Sequence, residues 1–249
     1  MELYYDVDGS GETVLFLGDL GYGAWQWGWQ HAAVAGPWES LVTDLRGAGR
    51  SEAPPGPYSV EQLAADSRAV LERHGLRRVH LVGAGLGAMI ALELALTDGR
   101  PRSLTLIGTA AHGGGIDPEP LFGDPADRAQ LRSSLSAALS SGFRDSRPDV
   151  VDRIVNWRAE EDATRTAWEA QRDALAAFDR RDSLHEITIP ALVIHGTGDL
   201  VWPIDRGRRL ADRLPRGEFH PADGAGHLAH VEHSRVVNDE LLAHLDDAS

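Results

Sequence analysis

Three groups of residues have types and spacings suited to chemistry. The first is the turn Gly83-Ala84-Gly85-Leu86-Gly87-Ala88, which follows the apolar run Val79–Val82 and leads into a helical stretch. Glycines at such a turn let a pyrophosphate approach the helix N-terminus, and Gly83-x-Gly85-x-x-Ala88 satisfies that dinucleotide pattern. The pattern also calls for an acidic residue about 20 positions on, at the end of the next strand. Here the next apolar run, Ser103–Ile107, ends in Gly108-Thr109-Ala110-Ala111. The missing acid, and the strands that precede the turn, argue against a nucleotide site. The alternative reading of the same turn is an active-site elbow that lacks its nucleophile. The second group is His227, His230 and His233. A spacing of three spreads them over a helix face instead of converging them on one ion, so no metal site is expected. The third comprises His195 and His112 at strand ends, which read as hydrogen-bonded structural histidines. The acidic pairs Asp179/Asp182 and Glu160/Glu161 read as solvated charge, not as a glycosidase dyad.

These residues must be positioned by an alternating β/α order. Short β-type runs recur at Leu3–Tyr5, Thr13–Leu17, Ser40–Thr43, Val79–Val82, Ser103–Ile107, Ala191–His195 and Glu218–His220. Helical patterns lie between most of them, which predicts a mainly parallel sheet covered on both faces. A capping-box start, Ser59-Val60-Glu61-Gln62, opens a helix that ends near Gly75. Further helices are expected at Leu86–Thr97, Arg206–Arg213 and His233–Asp246. The regular order breaks between residues 113 and 188, where helical patterns cover Arg128–Ser140, Pro148–Glu160 and Asp162–Ala177. This segment reads as an inserted helical lid on a core formed by 1–112 and 189–249, with Trp157 and Trp168 packed against the sheet.

Composition narrows the class. The chain has 249 residues, 38 acidic against 24 basic, and a net charge of -14, and every basic residue other than histidine is arginine. An acidic surface repels phosphate backbones and anionic lipid, so neither nucleic acid nor a membrane surface is an expected partner. With 42% hydrophobic residues it is nonetheless a folded globule and not a disordered acidic chain. Acid excess with arginine in place of lysine fits a salt-rich, halophilic cytoplasm, with biased base composition as the plainer alternative. The absence of cysteine excludes thiolate metal sites and a cysteine nucleophile. The N-terminus lacks the basic and apolar regions of a signal peptide, and a cytoplasmic location is expected.

Five ordered motifs carry a resemblance to the α/β-hydrolase superfamily, in particular its small esterase and 3-oxoadipate enol-lactonase-like branch. Val14-Leu-Phe-Leu-Gly-Asp-Leu-Gly21 resembles the strand and oxyanion loop, with Gly18-Asp19 where His-Gly is usual. Asp44-Leu-Arg-Gly-Ala-Gly-Arg-Ser51 resembles the segment that follows it. Gly83-Ala-Gly-Leu-Gly87 falls where the G-x-S-x-G nucleophile elbow belongs. Ile189 to Asp199 resembles the strand that ends in the triad acid, and Gly224-Ala-Gly-His227 the histidine loop. The resemblance implies an α/β-hydrolase fold with an eight-stranded type of sheet and an inserted lid. It also implies no cofactor and a small-molecule substrate.

By the same resemblance His227 and Asp199 take the base and acid roles, and the backbone N–H groups of Leu86 and Leu20 form the oxyanion hole. The nucleophile position falls on Gly85, which excludes an acyl-serine. Asp19 sets a carboxylate beside the oxyanion loop, where it either faces the pocket, ionised or kept protonated by burial, or is a solvated or helix-capping aspartate. Two negative charges about 4 Å apart repel by roughly 4 kcal/mol at an effective dielectric of 20, enough to cancel an oxyanion donor. Tyr22 and Trp25 are expected to line the pocket. Two functions follow: an enzyme using the His227–Asp199 dyad as general base on water or on an acidic substrate proton, or a catalytically inactive pseudo-hydrolase that binds a small molecule or a protein.

Overall fold

The computed structural model describes residues 1–248, so Ser249, the last residue of the expected core, lies outside them. The chain opens with β1 (Tyr5–Gly9), β2 (Thr13–Leu17), α1 (Gly28–Val34) and β3 (Glu39–Thr43). It continues with α2 (Val60–Arg73), β4 (Val79–Ala84), α3 (Gly85–Thr97) and β5 (Pro101–Ile107). Four helices follow before the next strand: α4 (Arg128–Ala138), α5 (Ser141–Ser146), α6 (Pro148–Glu161) and α7 (Arg165–Ala177). The last part is β6 (Ala191–Gly196), α8 (Ile204–Arg213), β7 (Gly217–Ala222), α9 (Ala229–Glu232) and α10 (Ser234–Asp247). The seven strands form one sheet in the order β1-β3-β2-β4-β5-β6-β7, with only β1 antiparallel to its neighbour. The sheet is therefore one strand short of the eight-stranded type, and β1 is its exposed edge.

The interior strands of this mainly parallel sheet are covered on both faces. β2, β4 and β6 are buried along their whole length, as continuous apolar runs require. Alternate residues feed two cores: Leu15, Leu17, Leu81, Leu104, Leu106 and Val193 on one face, Val14, Phe16, Val82, Ile107, Leu192 and Ile194 on the other. Helix α3 is apolar all round and buried from Gly85 to Leu94, so it sits inside the molecule instead of on its surface. The α2 start follows its sequence signal: the Ser59 side chain accepts the N–H of Gln62 at 3.2 Å. Among the described residues no helix is long and apolar enough to cross a membrane.

Parallel order brings the C-terminal ends of β2, β4, β5, β6 and β7 to one edge, where α/β sheets hold their ligands. Gly83 and Gly87 allow α3 to approach that edge closely. A Cβ on Gly87 would lie 2.1 Å from the carbonyl oxygen of Leu17, and one on Gly83 2.5 Å from the backbone of Ala88 and Gly87. Both contacts are with backbone that cannot swing away. Gly87→Ala is thus expected to lower stability by about 2 kcal/mol or more, in the manner of core overpacking. Gly99→Ala, where the added atom meets nothing within 4 Å, should stay within about 0.5 kcal/mol of the parent. Urea denaturation of the two variants checks this, and equal midpoints would contradict it.

Candidate active site

Five loops deliver side chains or backbone to the carboxyl edge of the sheet: Asp19 after β2, Gly85 at the β4–α3 turn, Gly108 after β5, Asp199 after β6 and His227 after β7. Gly85 has φ +46, a conformation that glycine adopts without steric cost. The turn is pinned by Thr109, whose hydroxyl donates to the Gly85 carbonyl at 2.9 Å. It opens α3 from the fourth strand, in the middle of the sheet.

Asp19 is 1% exposed and turns inward, toward the turn. Its Oδ1 accepts the N–H of Leu20 at 2.6 Å and that of Leu86 at 2.9 Å. Its Oδ2 accepts from His227 Nε2 at 2.7 Å. A Cβ built on Gly85 would lie 1.7 Å from Oδ1 and 2.3 Å from Cγ of Asp19. The carboxylate thus stands in the space that a side chain at position 85 would need. The two backbone donors expected to serve an incoming oxyanion already hold one from the chain itself.

His227 is buried, and its Nδ1 donates to Asp199 Oδ2 at 2.9 Å. With a carboxylate at each ring nitrogen, both nitrogens are donors, which is the imidazolium form. Burial opposes that charge, but the Asp199 and Asp19 carboxylates outweigh it and push the histidine up to about 10. The expectation of a neutral general base at His227 is corrected by this arrangement: at neutral pH the ring has no free lone pair. Asp199 is oriented by the N–H groups of Val201 and Trp202 on its Oδ1, at 2.8 and 2.9 Å. Burial would raise it, yet the His227 charge and contacts from His195 hold it well below the usual carboxylate range.

The remaining histidines sort by their partners. His195 Nε2 donates to the Trp202 carbonyl at 2.9 Å and lies 3.4 Å from Asp199, so it supports the acid's loop. His230 stacks on Trp27 with ring centroids 4.5 Å apart, and burial pushes it down to about 3, leaving it neutral. His230, on α9, lies near enough to Asp19 and His227 to feel both charges, and His233 stands at the start of α10. His112 lies apart, in a cleft with arginines.

Trp25 and Tyr22 part company. Trp25 lines an open cleft of about 390 Å³ with Gly28, Trp29, Arg153, Trp157 and Glu161. Trp157 therefore faces this cleft instead of packing fully against the sheet, whereas Trp168 is buried against Gly21. Tyr22, expected in the pocket, is 2% exposed and packs between Trp25 and the Arg158 guanidinium, 4.8 Å from its ring centroid. The cause is the buried Arg158–Asp162 pair, at 2.6 Å, which takes the ring face as part of its shell. Neither Asp19 nor His227 lines the aromatic cleft.

Several positioning residues carry no sequence signal. Gln171 on α7 accepts the Gly21 N–H at 2.8 Å and donates to the Arg46 carbonyl at 2.7 Å, holding the Asp19 loop from the far side. Glu232 receives the N–H groups of Gly226, at 2.7 Å, and Ser140, at 2.9 Å, so the His227 loop is tied to the end of α4. The residues that bear the Asp44 motif are also structural: Asp44 accepts the Ala24 N–H at 2.6 Å and the Arg50 N–H at 2.9 Å.

The geometry agrees with what comparison finds. A family model described as the alpha/beta hydrolase fold matches residues 21–234. The chain is 28% identical to a putative carbamate hydrolase, RutD, of Azorhizobium caulinodans, over 97% of this chain and 94% of that one. It is 27% identical to a putative non-heme bromoperoxidase, BpoC, of Mycobacterium tuberculosis, over 97% of each. Among solved structures it superposes on the enol-lactonase of Burkholderia xenovorans with a TM-score of 0.87 and 26% identity, over 98% and 96% of the two chains.

The charges predict a pH response. An imidazole favoured in its charged form by folding stabilises fully below its unfolded value, about 6.5, and that contribution is lost as pH rises through about 10. Asp199, held low, stabilises above about 3.9 and loses its contribution as pH falls. Urea midpoints should therefore fall from pH 6.5 to 10 in the parent and less steeply in Asp19→Asn. Parallel slopes would remove His227 as the source.

Proposed function

Because the chain belongs to the alpha/beta hydrolase fold family, we propose that it is a small-molecule hydrolase working without an acyl-serine, with Gly85 at the nucleophile elbow and an Asp19–His227–Asp199 centre. The observation that supports this reading best is the placement of the Asp19 carboxylate. One oxygen sits on the Leu20 and Leu86 N–H groups and the other on His227 Nε2. That is the pose an acyl carboxylate would take in an oxyanion hole beside a triad histidine. The segment 113–188 is then a lid over this edge, and Asp19 holds the place of the substrate in the resting state.

In this state the basic atoms are the carboxylate oxygens and the acid is His227. Once Asp19 swings off the two N–H groups, a substrate carbonyl oxygen takes its place on them. Asp19 then accepts a proton from water, the water oxygen bonds to the carbonyl carbon, and His227 gives its Nε2 proton to the departing oxygen or nitrogen. Asp199 keeps the ring oriented throughout, and the proton taken up by Asp19 passes back to His227 Nε2 to restore the charged ring. Esters, lactones and carbamates all fit this sequence. Such groups also occur in the names of relatives, a carbamate hydrolase and an enol-lactonase.

A second reading has its own support. Asp19 and His227 have every polar atom partnered and are 1% and 2% exposed, which suits an ion array kept for structure in a binding protein without turnover. Turnover of a panel of small esters, lactones and carbamates separates the two. On the first reading His227→Ala and Asp19→Asn each lower the rate by about 10²-fold or more. Equal rates in parent and variants, with ligand recovered unchanged, favour the second.

The elbow assignment has its own test. Gly85→Ser alone should be destabilised and inactive toward activated esters, because its Cβ collides with Asp19. Combined with Asp19→Gly, which vacates that space, it should recover stability and gain ester hydrolysis. Additive stability losses in this double-mutant cycle would count against the shared space.

A further inference from the structure

One cleft contradicts the charge of the chain. In a protein of net charge -14, a cleft of about 180 Å³ is lined by Arg181, Arg206, Arg209 and Arg213, together with His112. Three of these arginines come from α8, where spacings of three and four residues put them on one helix face. Arg208 leaves in another direction and stacks over Phe219, 4.7 Å from its centroid. Arg181 comes from the loop after α7 and His112 from the loop after β5.

The cluster is fixed in place but not neutralised. Arg206 donates to the carbonyls of Gly114 and Gly115, at 2.9 and 3.3 Å, which orient the guanidinium without cancelling its charge. Arg213 likewise donates to the Arg181 carbonyl at 3.3 Å. Among the described residues Arg209 has no hydrogen-bond or ion-pair partner, and only Arg181 is met by a carboxylate, that of Asp179 at 2.6 Å. Three guanidinium charges therefore converge on one concave surface with no counter-charge within ion-pair distance. A planar guanidinium fork pairs with phosphoryl oxygens by two parallel bonds, and two or more forks are matched by a dianion better than by a monoanion. We propose that this cleft is a binding site for a phosphoryl dianion, either inorganic phosphate or the head of a phosphomonoester.

His112 reports on the site. Burial pushes its imidazole down, and so do the charges of Arg206 and Arg209 from α8 and of Arg181, against the single carboxylate of Asp179. A dianion between the arginines reverses that balance and favours the imidazolium. The experiment follows the His112 ring resonances, identified by their loss in His112→Gln, during titration with inorganic phosphate and with phenyl phosphate at constant ionic strength. Expected are a saturable shift, a rise of about one pH unit in the His112 titration midpoint, and binding weakened about tenfold or more in Arg209→Glu. Arg235→Glu makes the same change in net charge on α10, at an exposed arginine outside the cleft, and should bind as the parent does. Saturation by phenyl phosphate at lower concentration than phosphate identifies the phosphomonoester as ligand, and the reverse order identifies phosphate. A shift that never saturates, an equal response to acetate, or equal weakening by the two arginine variants would overturn the proposal. None of these readouts depends on turnover at Asp19 and His227, so the two readings stand or fall separately.

Discussion

The interior of this protein is organised around one carboxylate whose two oxygens both accept hydrogen bonds. Asp19 gives one oxygen to two backbone N–H groups and the other to an imidazolium, and all of these are buried. A charge buried without partners would be prohibitively costly; here Asp19, His227 and Asp199 alternate in sign, so each negative end faces the positive ring. Removing His227 leaves two buried carboxylates without their shared cation. The N-terminal end of α3 adds a favourable dipole, since Leu86 lies in its first turn.

The scaffold's task is to bring these groups within hydrogen-bond reach from parts of the chain far apart in sequence. The parallel sheet supplies a shared edge, and glycines 83 and 87 supply the closeness between α3 and β2 that lets Leu86 meet Asp19. The helices between β5 and β6 then grip both sides of the centre. Gln171 and Ala163 bond the backbone of Gly21, while Ser140 and Gly226 share the Glu232 carboxylate. Both halves of the centre are thus held by the stretch between β5 and β6.

Much of this was legible in the residues themselves. Apolar runs mark β2 to β6, because strands buried on both faces leave little freedom of composition, whereas the run expected at Leu3–Tyr5 meets the exposed edge strand β1 only at Tyr5. Short elements such as α1, α5 and α9 are not marked, since a single turn or two has no periodicity to read. The motifs pointed to Asp19, Gly85, Asp199 and His227, and these are the residues that meet. The protonation of His227 was not legible, because it depends on which way Asp19 turns. That direction is set by the space left beside Gly85 and by the N–H of Leu86, neither of them local to Asp19. The surroundings of Tyr22 were not legible for a similar reason: nothing in its neighbourhood announces Arg158, which arrives from α6.

The 1.7 Å separation between a Cβ at position 85 and Asp19 also couples the two positions. The inward aspartate and any side chain at 85 are mutually exclusive occupants of one small volume. Single substitutions at 85 therefore meet a barrier that paired ones do not, because any side chain there requires Asp19 to leave the N–H of Leu86.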